Sequence, residues 1–88
     1  MYYTYVTLSN KNGTTYIGST ENLKRRIKEH NQGKTKSLRH KLPVKLIYYE
    51  AYLDKTTARK REVELKTNSF KKKELLERLG IKARSSSG

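Results

Sequence analysis

The sequence predicts an α/β sandwich, a three-stranded sheet with helices in the order ββαβαα. Three observations predict it. Two β-branched and aromatic runs meet at an Asn-Gly pair, an apolar run follows the only proline, and helical segments with cap residues follow each half.

Taken in order, Tyr2 to Ser9 (YYTYVTLS) reads as a strand. Asn12-Gly13 is a hairpin turn signal, because both central positions of a type I′ turn need positive φ. Thr14 to Gly18 (TTYIG) is then the returning strand. Ser19 or Thr20 can cap a helix over about 21–32, with Glu21 well placed in its first turn and Gly33 fitting its stop. Residues 34–43 form a basic loop. Val44 to Leu53 (VKLIYYEAYL) is the third strand, and its apolar character suggests a central, largely buried position. Asp54 caps a second helix reaching about Lys66. Ser69 caps a third that ends at Gly80, with Ile81 beyond it placed to contact Leu76 as in a Schellman motif. The expectation is one domain over 1–82 and a disordered tail over 83–88.

Composition bounds the function. The chain has 88 residues, with 21 Lys+Arg against 8 Asp+Glu and a net charge of +13. That length gives one small core, and 33% hydrophobic residues make it a thin one. A charge of this size speaks of partners rather than fold. An anionic membrane would need a basic amphipathic helix with a continuous apolar face or a long apolar run, and neither is present. Nucleic acid is the better partner. Without cysteine there is no disulfide framework or thiolate zinc site. The stretch MYYTYVTLSN lacks the features of a secretory signal, so the expected location is cytoplasmic, at the nucleoid.

Helical spacing shows which polar groups face inward. In the first helix Leu23 and Ile27 define the buried stripe, Arg26 and His30 border it, and Lys24, Arg25 and Lys28 point to solvent. Alone, Arg26 reads as a snorkelling side chain and His30 as an edge histidine. In the second helix Glu62 shares a face with Ala58 and Leu65, where a carboxylate must be paired, protonated or bound to a cation. An ion pair with Arg26 and a metal-ligand or catalytic role weigh equally there. With an even number of residues in the hairpin loop, Tyr16 falls on the face of Tyr5; ordinary cross-strand packing is the simplest account of that pair. Gly18 is either a strand end or a place of close backbone approach. Lys34, Lys36, Arg39 and Lys41 in the basic loop, and Lys71, Lys72 and Lys73 later, offer attraction for phosphates. His40 is most simply a surface residue.

In combination these pieces resemble the GIY-YIG nuclease family. Tyr3–Tyr5 (YTY) and Tyr16–Gly18 (YIG), eleven residues apart, match the two halves of its signature. LKRRIKEH (Leu23 to His30), PVKLIYYEAY and the segment Ala58 to Lys66 continue the match over roughly 2–79. The chain looks closest to small stand-alone members that share the catalytic domain of excision-repair nicking subunits. The resemblance implies a three-stranded antiparallel sheet flanked by helices, and cleavage of DNA, duplex or branched, with one divalent ion, Mg²⁺ or Mn²⁺. Tyr5 and Tyr16 would be the paired catalytic tyrosines, Arg26 would hold the scissile phosphate and Glu62 would ligate the metal. His30 sits where some members carry a further active-site histidine. Either Tyr16 or His30 could be the general base. A phenol titrates near 10 and needs cationic help, whereas an imidazole titrates near 6.5. Tyr3-Thr4 stands where the family name has Gly-Ile, and Asn68 comes too soon for the distal asparagine of many members. Sequence specificity would come from a homodimer or a separate targeting partner, or be absent. The alternatives are an inactive nucleic-acid-binding module of the same fold and, more weakly, a ribosome-associated basic protein.

Overall fold

The computed structural model describes residues 1–81; the expected tail over 83–88 lies outside the described residues. The elements are β1 (Tyr2–Ser9), β2 (Thr15–Thr20), α1 (Leu23–Asn31), a 3₁₀ helix (Lys36–Lys41), β3 (Val44–Tyr52), α2 (Lys55–Thr67) and α3 (Ser69–Arg78). The strands form one antiparallel sheet in the order β2-β1-β3, so the fold is α+β with the order ββαβαα.

Ser9 N–H still donates to the Thr14 carbonyl at 2.8 Å, so the β1–β2 hairpin closes through the four residues 10–13 rather than a two-residue type I′ turn. Only Gly13 has positive φ (74°), and Asn12 does not. Ser9 organises the loop: its hydroxyl accepts from the amides of Lys11 and Asn12, and its carbonyl accepts from Gly13 N–H at 3.0 Å. The even loop keeps Tyr5 and Tyr16 on one face, with Tyr5 opposite Gly18 and Thr7 opposite Tyr16. β2 also runs two residues past Gly18, so Ser19 and Thr20 are strand residues and not caps. Asn22 caps α1 instead, accepting from Arg25 N–H at 3.0 Å. Glu21 therefore lies outside the helix.

β3 is an edge strand, not a central one. Its apolar run mimics a buried strand because of a bulge. Val6 pairs with Tyr48 and Thr7 with Leu46, leaving Ile47 extra. Ile47 and Tyr48 thus both pack against the core, two neighbours on one face where regular pleating would split them. That core is Val6, Ile17, Leu65, Leu75 and Leu76, between the sheet and α2 and α3. Each buried aliphatic side chain there contributes about 2 kcal/mol. Thr4 belongs to this face and donates to the Ala58 carbonyl at 2.7 Å. Alternation sends Tyr5, Thr7, Tyr16 and Gly18 to the opposite face, where α1 lies.

Asp54 caps α2 as expected, accepting from Thr57 N–H. Asn68, not Ser69, caps α3, so its side chain is committed to the backbone of Lys71. α3 ends in a Schellman motif: Ile81 N–H donates to the Leu76 carbonyl and Gly80 N–H to that of Glu77. The basic loop contains the 3₁₀ helix, anchored by Leu38, which is buried.

Candidate active site

The α1 face of the sheet gathers three rings. Tyr5 lies directly across from Gly18, and its ring crosses the space a side chain would fill: a Cβ on Gly18 would stand 2.6 Å from the Tyr5 hydroxyl and 2.8 Å from Cζ. Gly18 is thus a place of close approach by a neighbouring ring. Tyr16 sits diagonally from Tyr5, their centroids 6.4 Å apart. His30 in the last turn of α1 completes the cluster, 5.8 Å from the Tyr5 ring and 5.3 Å edge-on from that of Tyr16. These are favourable aromatic separations.

His30 is fully buried, not at the border of the α1 stripe, and Leu23 and Ile27 are only half-buried. An imidazole tolerates burial when both nitrogens are bonded. Nε2 lies 2.7 Å from the Tyr5 hydroxyl and Nδ1 lies 2.6 Å from Thr35 Oγ1. Burial, with Arg26 nearby, holds His30 below its ordinary value, so the ring is neutral at pH 7. Burial pushes Tyr5 up to about 12 against the pull of Arg26, so the phenol keeps its proton. Tyr5 then donates to Nε2, and Nδ1–H donates to Thr35.

Arg26 reaches over this cluster from α1. Its Nη1 donates to Glu29 at 3.2 Å, and its side chain is 37% exposed. Burial would weaken its hold on the proton, but Tyr5 and Glu29 outweigh burial and keep it charged. Lys24, Arg25 and Lys28 are exposed.

Glu62 approaches from the other side, on α2. It is not paired with Arg26. Its Oε1 accepts from Ser19 Oγ at 2.7 Å and its Oε2 from Lys66 Nζ at 2.8 Å. Burial disfavours the charged carboxylate, yet the bonds from Lys66 and Ser19 and the Lys66 charge hold it below the usual range. Lys66 Nζ also stands 5.7 Å from the Tyr16 ring centroid, within cation–π reach. Because Ser19 follows Gly18 on edge strand β2, Glu62 meets the ring cluster around the sheet's edge. Ser19, Thr35 and Lys66 escaped the sequence reading. Lys66 was within reach of it, one helical turn after Glu62; Ser19 was hidden by its likeness to a cap, and Thr35 had no signal at all.

The basic residues divide. Lys34, Lys36 and Arg39 are exposed and Lys41 half-buried on the segment that also supplies Thr35. Lys71 is tied to Glu64 at 2.8 Å, and Glu64 to Arg61, on the β3 side of α2. Lys72 and Lys73 lie beside Lys71 on α3.

Among the described residues no three His, Cys, Asp or Glu side chains cluster as a metal cage. Glu62 is a lone ionised carboxylate at a solvent-accessible edge, and that fits a cation such as Mg²⁺ that keeps most of its water.

The sequence profile of the GIY-YIG catalytic domain matches residues 1–74. The chain belongs to the GIY-YIG family. A UPF0213 protein of Bacillus licheniformis is 45% identical over 74 residues, which span 83% of this chain and 75% of that one. A UPF0213 protein of Natronomonas pharaonis is 42% identical over 76 residues, spanning 85% and 88%. The solution NMR structure of a UPF0213 protein from Bacillus halodurans matches with a TM-score of 0.54 and 36% identity, covering 94% of this chain and 89% of that one. GIY-YIG is a nuclease family, and the β1–β2 register brings the two segments that resemble its signature, Tyr3–Tyr5 and Tyr16–Gly18, together at the pair Tyr5–Gly18. No described helix is long and apolar enough to cross a membrane.

Proposed function

We propose that this GIY-YIG protein is a metal-dependent endonuclease that hydrolyses DNA phosphodiesters in repair, recombination or mobile-element processing. The observation that carries the reading is the convergence of the Tyr5–Tyr16–His30 cluster, under Arg26, with the charged carboxylate of Glu62.

Each group then has a distinct task. Arg26 holds non-bridging phosphate oxygens with donors that Glu29 leaves free, and it stabilises the charge that builds as water attacks phosphorus. Tyr16, half-exposed, faces the attacking water and, as the phenolate left once its own proton has passed to solvent, takes the water's proton while the P–O bond to the leaving oxygen breaks and that oxygen is protonated from solvent. His30 is too deeply buried to touch that water and acts through Tyr5, whose ring it fixes over Gly18. Glu62 would hold Mg²⁺ or Mn²⁺, which when bound supplies Lewis-acid stabilisation of the developing negative charge. Lys66 keeps Glu62 ionised until then. One copy carries one such cluster, so double-strand cutting takes a homodimer or sequential nicking, and a separate partner could supply targeting.

The second reading is a binding module of the same fold. The observation in its favour is that Lys66 already neutralises Glu62. A cleavage panel of duplex, branched and single-stranded DNA separates the two. The expected result is cutting with Mg²⁺ or Mn²⁺, none with chelator, and loss of about 10³-fold in Glu62→Ala with DNA binding retained. Binding without cleavage of any substrate selects the module.

A further inference from the structure

Beside the ring cluster, between α1 and α2, a cleft of about 280 Å³ opens to solvent. Four cationic side chains line it: Arg25 and Arg26 on the α1 wall, Lys55 and Arg59 on the α2 wall. Its acids are Glu21 and Glu29, and Glu29 is already shared by Arg25 at 3.9 Å and Arg26 at 3.2 Å. Among the described residues Lys55 and Arg59 enter no ion pair. The other α2 cations near acids are spent, Arg61 on Glu50 and Glu64, and Lys66 on Glu62. Two unpaired cations sharing a cleft with two more repel one another unless an anion enters. Ala58, buried between them, keeps the gap open by being small.

The cleft is continuous with the candidate active site through two residues. Arg26 is its inner wall and also biases Tyr5, and Ser19 lines it while donating to Glu62. The volume is at the small end of ligand sites, with room for a backbone phosphate and its sugar and none for a duplex. We propose that the cleft is a second phosphate seat, in which Lys55 and Arg59 hold the backbone phosphate next to the scissile one. A strand leaving Arg26 passes between α1 and α2 through this seat, which fixes its path across the protein. Lys55 and Arg59, seven and three residues before Glu62, fall on the Glu62 face of α2.

This inference rests on the nuclease reading for the identity of the neighbouring phosphate, and its test needs neither metal nor turnover. The probes are thymidine 3′,5′-bisphosphate, with two phosphates one nucleoside apart, and thymidine 5′-monophosphate, titrated at low salt into the full chain and followed by NMR. The wild type is expected to bind the bisphosphate about tenfold more tightly than the monophosphate, the second phosphate adding a charge-assisted contact. Lys55→Ala/Arg59→Ala should erase that advantage and leave the monophosphate affinity within about twofold. Lys60→Ala, an exposed cation of α2 outside the cleft, should keep it. An advantage that survives the double substitution, or that Lys60→Ala removes equally, overturns the seat. A chain that never cuts DNA yet shows the advantage would sink the nuclease reading while retaining two adjacent phosphate seats.

Discussion

Glu50 on β3 and Glu62 on α2 are near twins by burial, with side chains 17% and 19% exposed, and both are held below the ordinary carboxylate range. Their partners differ. Glu50 works against burial with the Arg61 guanidinium, at 2.9 Å and 3.0 Å, and the hydroxyls of Tyr48 and Tyr52. Arg61 is itself fixed by Glu64 at 2.6 Å. Glu62 has one serine hydroxyl and one lysine, and that lysine is 44% exposed on a flexible stem. Burial and ionisation alone therefore do not mark a functional acid. On the nuclease reading, exchangeable partners beside an open edge are what set Glu62 apart.

The comparison fails or holds on paired substitutions. The largest effect is on activity: Glu62→Gln should lower cleavage by about 10³-fold. Its stability in urea should change by no more than about 1 kcal/mol, the worth of a half-exposed lysine pair. Glu50→Gln should do the reverse, since it strands Arg61 among groups arranged for an anion. A loss of about 2 kcal/mol is expected, less than for a fully buried pair because Arg61 is 24% exposed. Activity per folded molecule should stay at the wild-type level. If Glu50→Gln abolished cleavage at full folding, the division between the two carboxylates would be wrong.

Gly18→Ala comes next in size, because it strikes the ring cluster without touching either carboxylate. The added methyl meets an aromatic ring and not the tip of a flexible chain, so Tyr5 must leave its place over β2. The expected cost is about 1–3 kcal/mol. Near-wild-type stability with an intact Tyr5–His30 hydrogen bond by NMR would show that the ring has room to spare.

The same cases explain what was legible. Element order, the Asp54 cap and the Gly80 stop follow from local chemistry, which the sequence carries in adjacent residues. The shared face of Tyr5 and Tyr16 followed once the loop was even, since the pleat has period two. The depth of His30 was not legible, because it depends on Thr35 reaching back from a loop and on Tyr5 from another strand. The edge position of β3 was hidden by the bulge at Ile47, which gives an edge strand the apolar run of a central one. Glu62 stood out by its helical face, while Glu50 lay in a strand legible only as an apolar run. Its role depends on Arg61, eleven residues away across a turn.

The smallest expected effect concerns pH and separates the ring cluster from both carboxylates. His30 is held below 6.5 in the folded chain, so its neutral form is the one folding favours. That contribution is complete above pH 6.5 and is lost as pH falls below it, through the folded value. The two glutamates, also lowered, contribute above about 4.5 and lose their share only in more acidic solution. Between pH 7 and 5, then, the fall in Tm should belong mainly to His30, and His30→Gln, which keeps an acceptor for Tyr5, should flatten it. A wild-type Tm with no slope in that window, or an equal slope in His30→Gln, would mean that the imidazole takes up a proton in the folded chain as readily as in the unfolded one. Tyr5 would then have no fixed acceptor, and the buried arm of the site would have to be redrawn around Arg26.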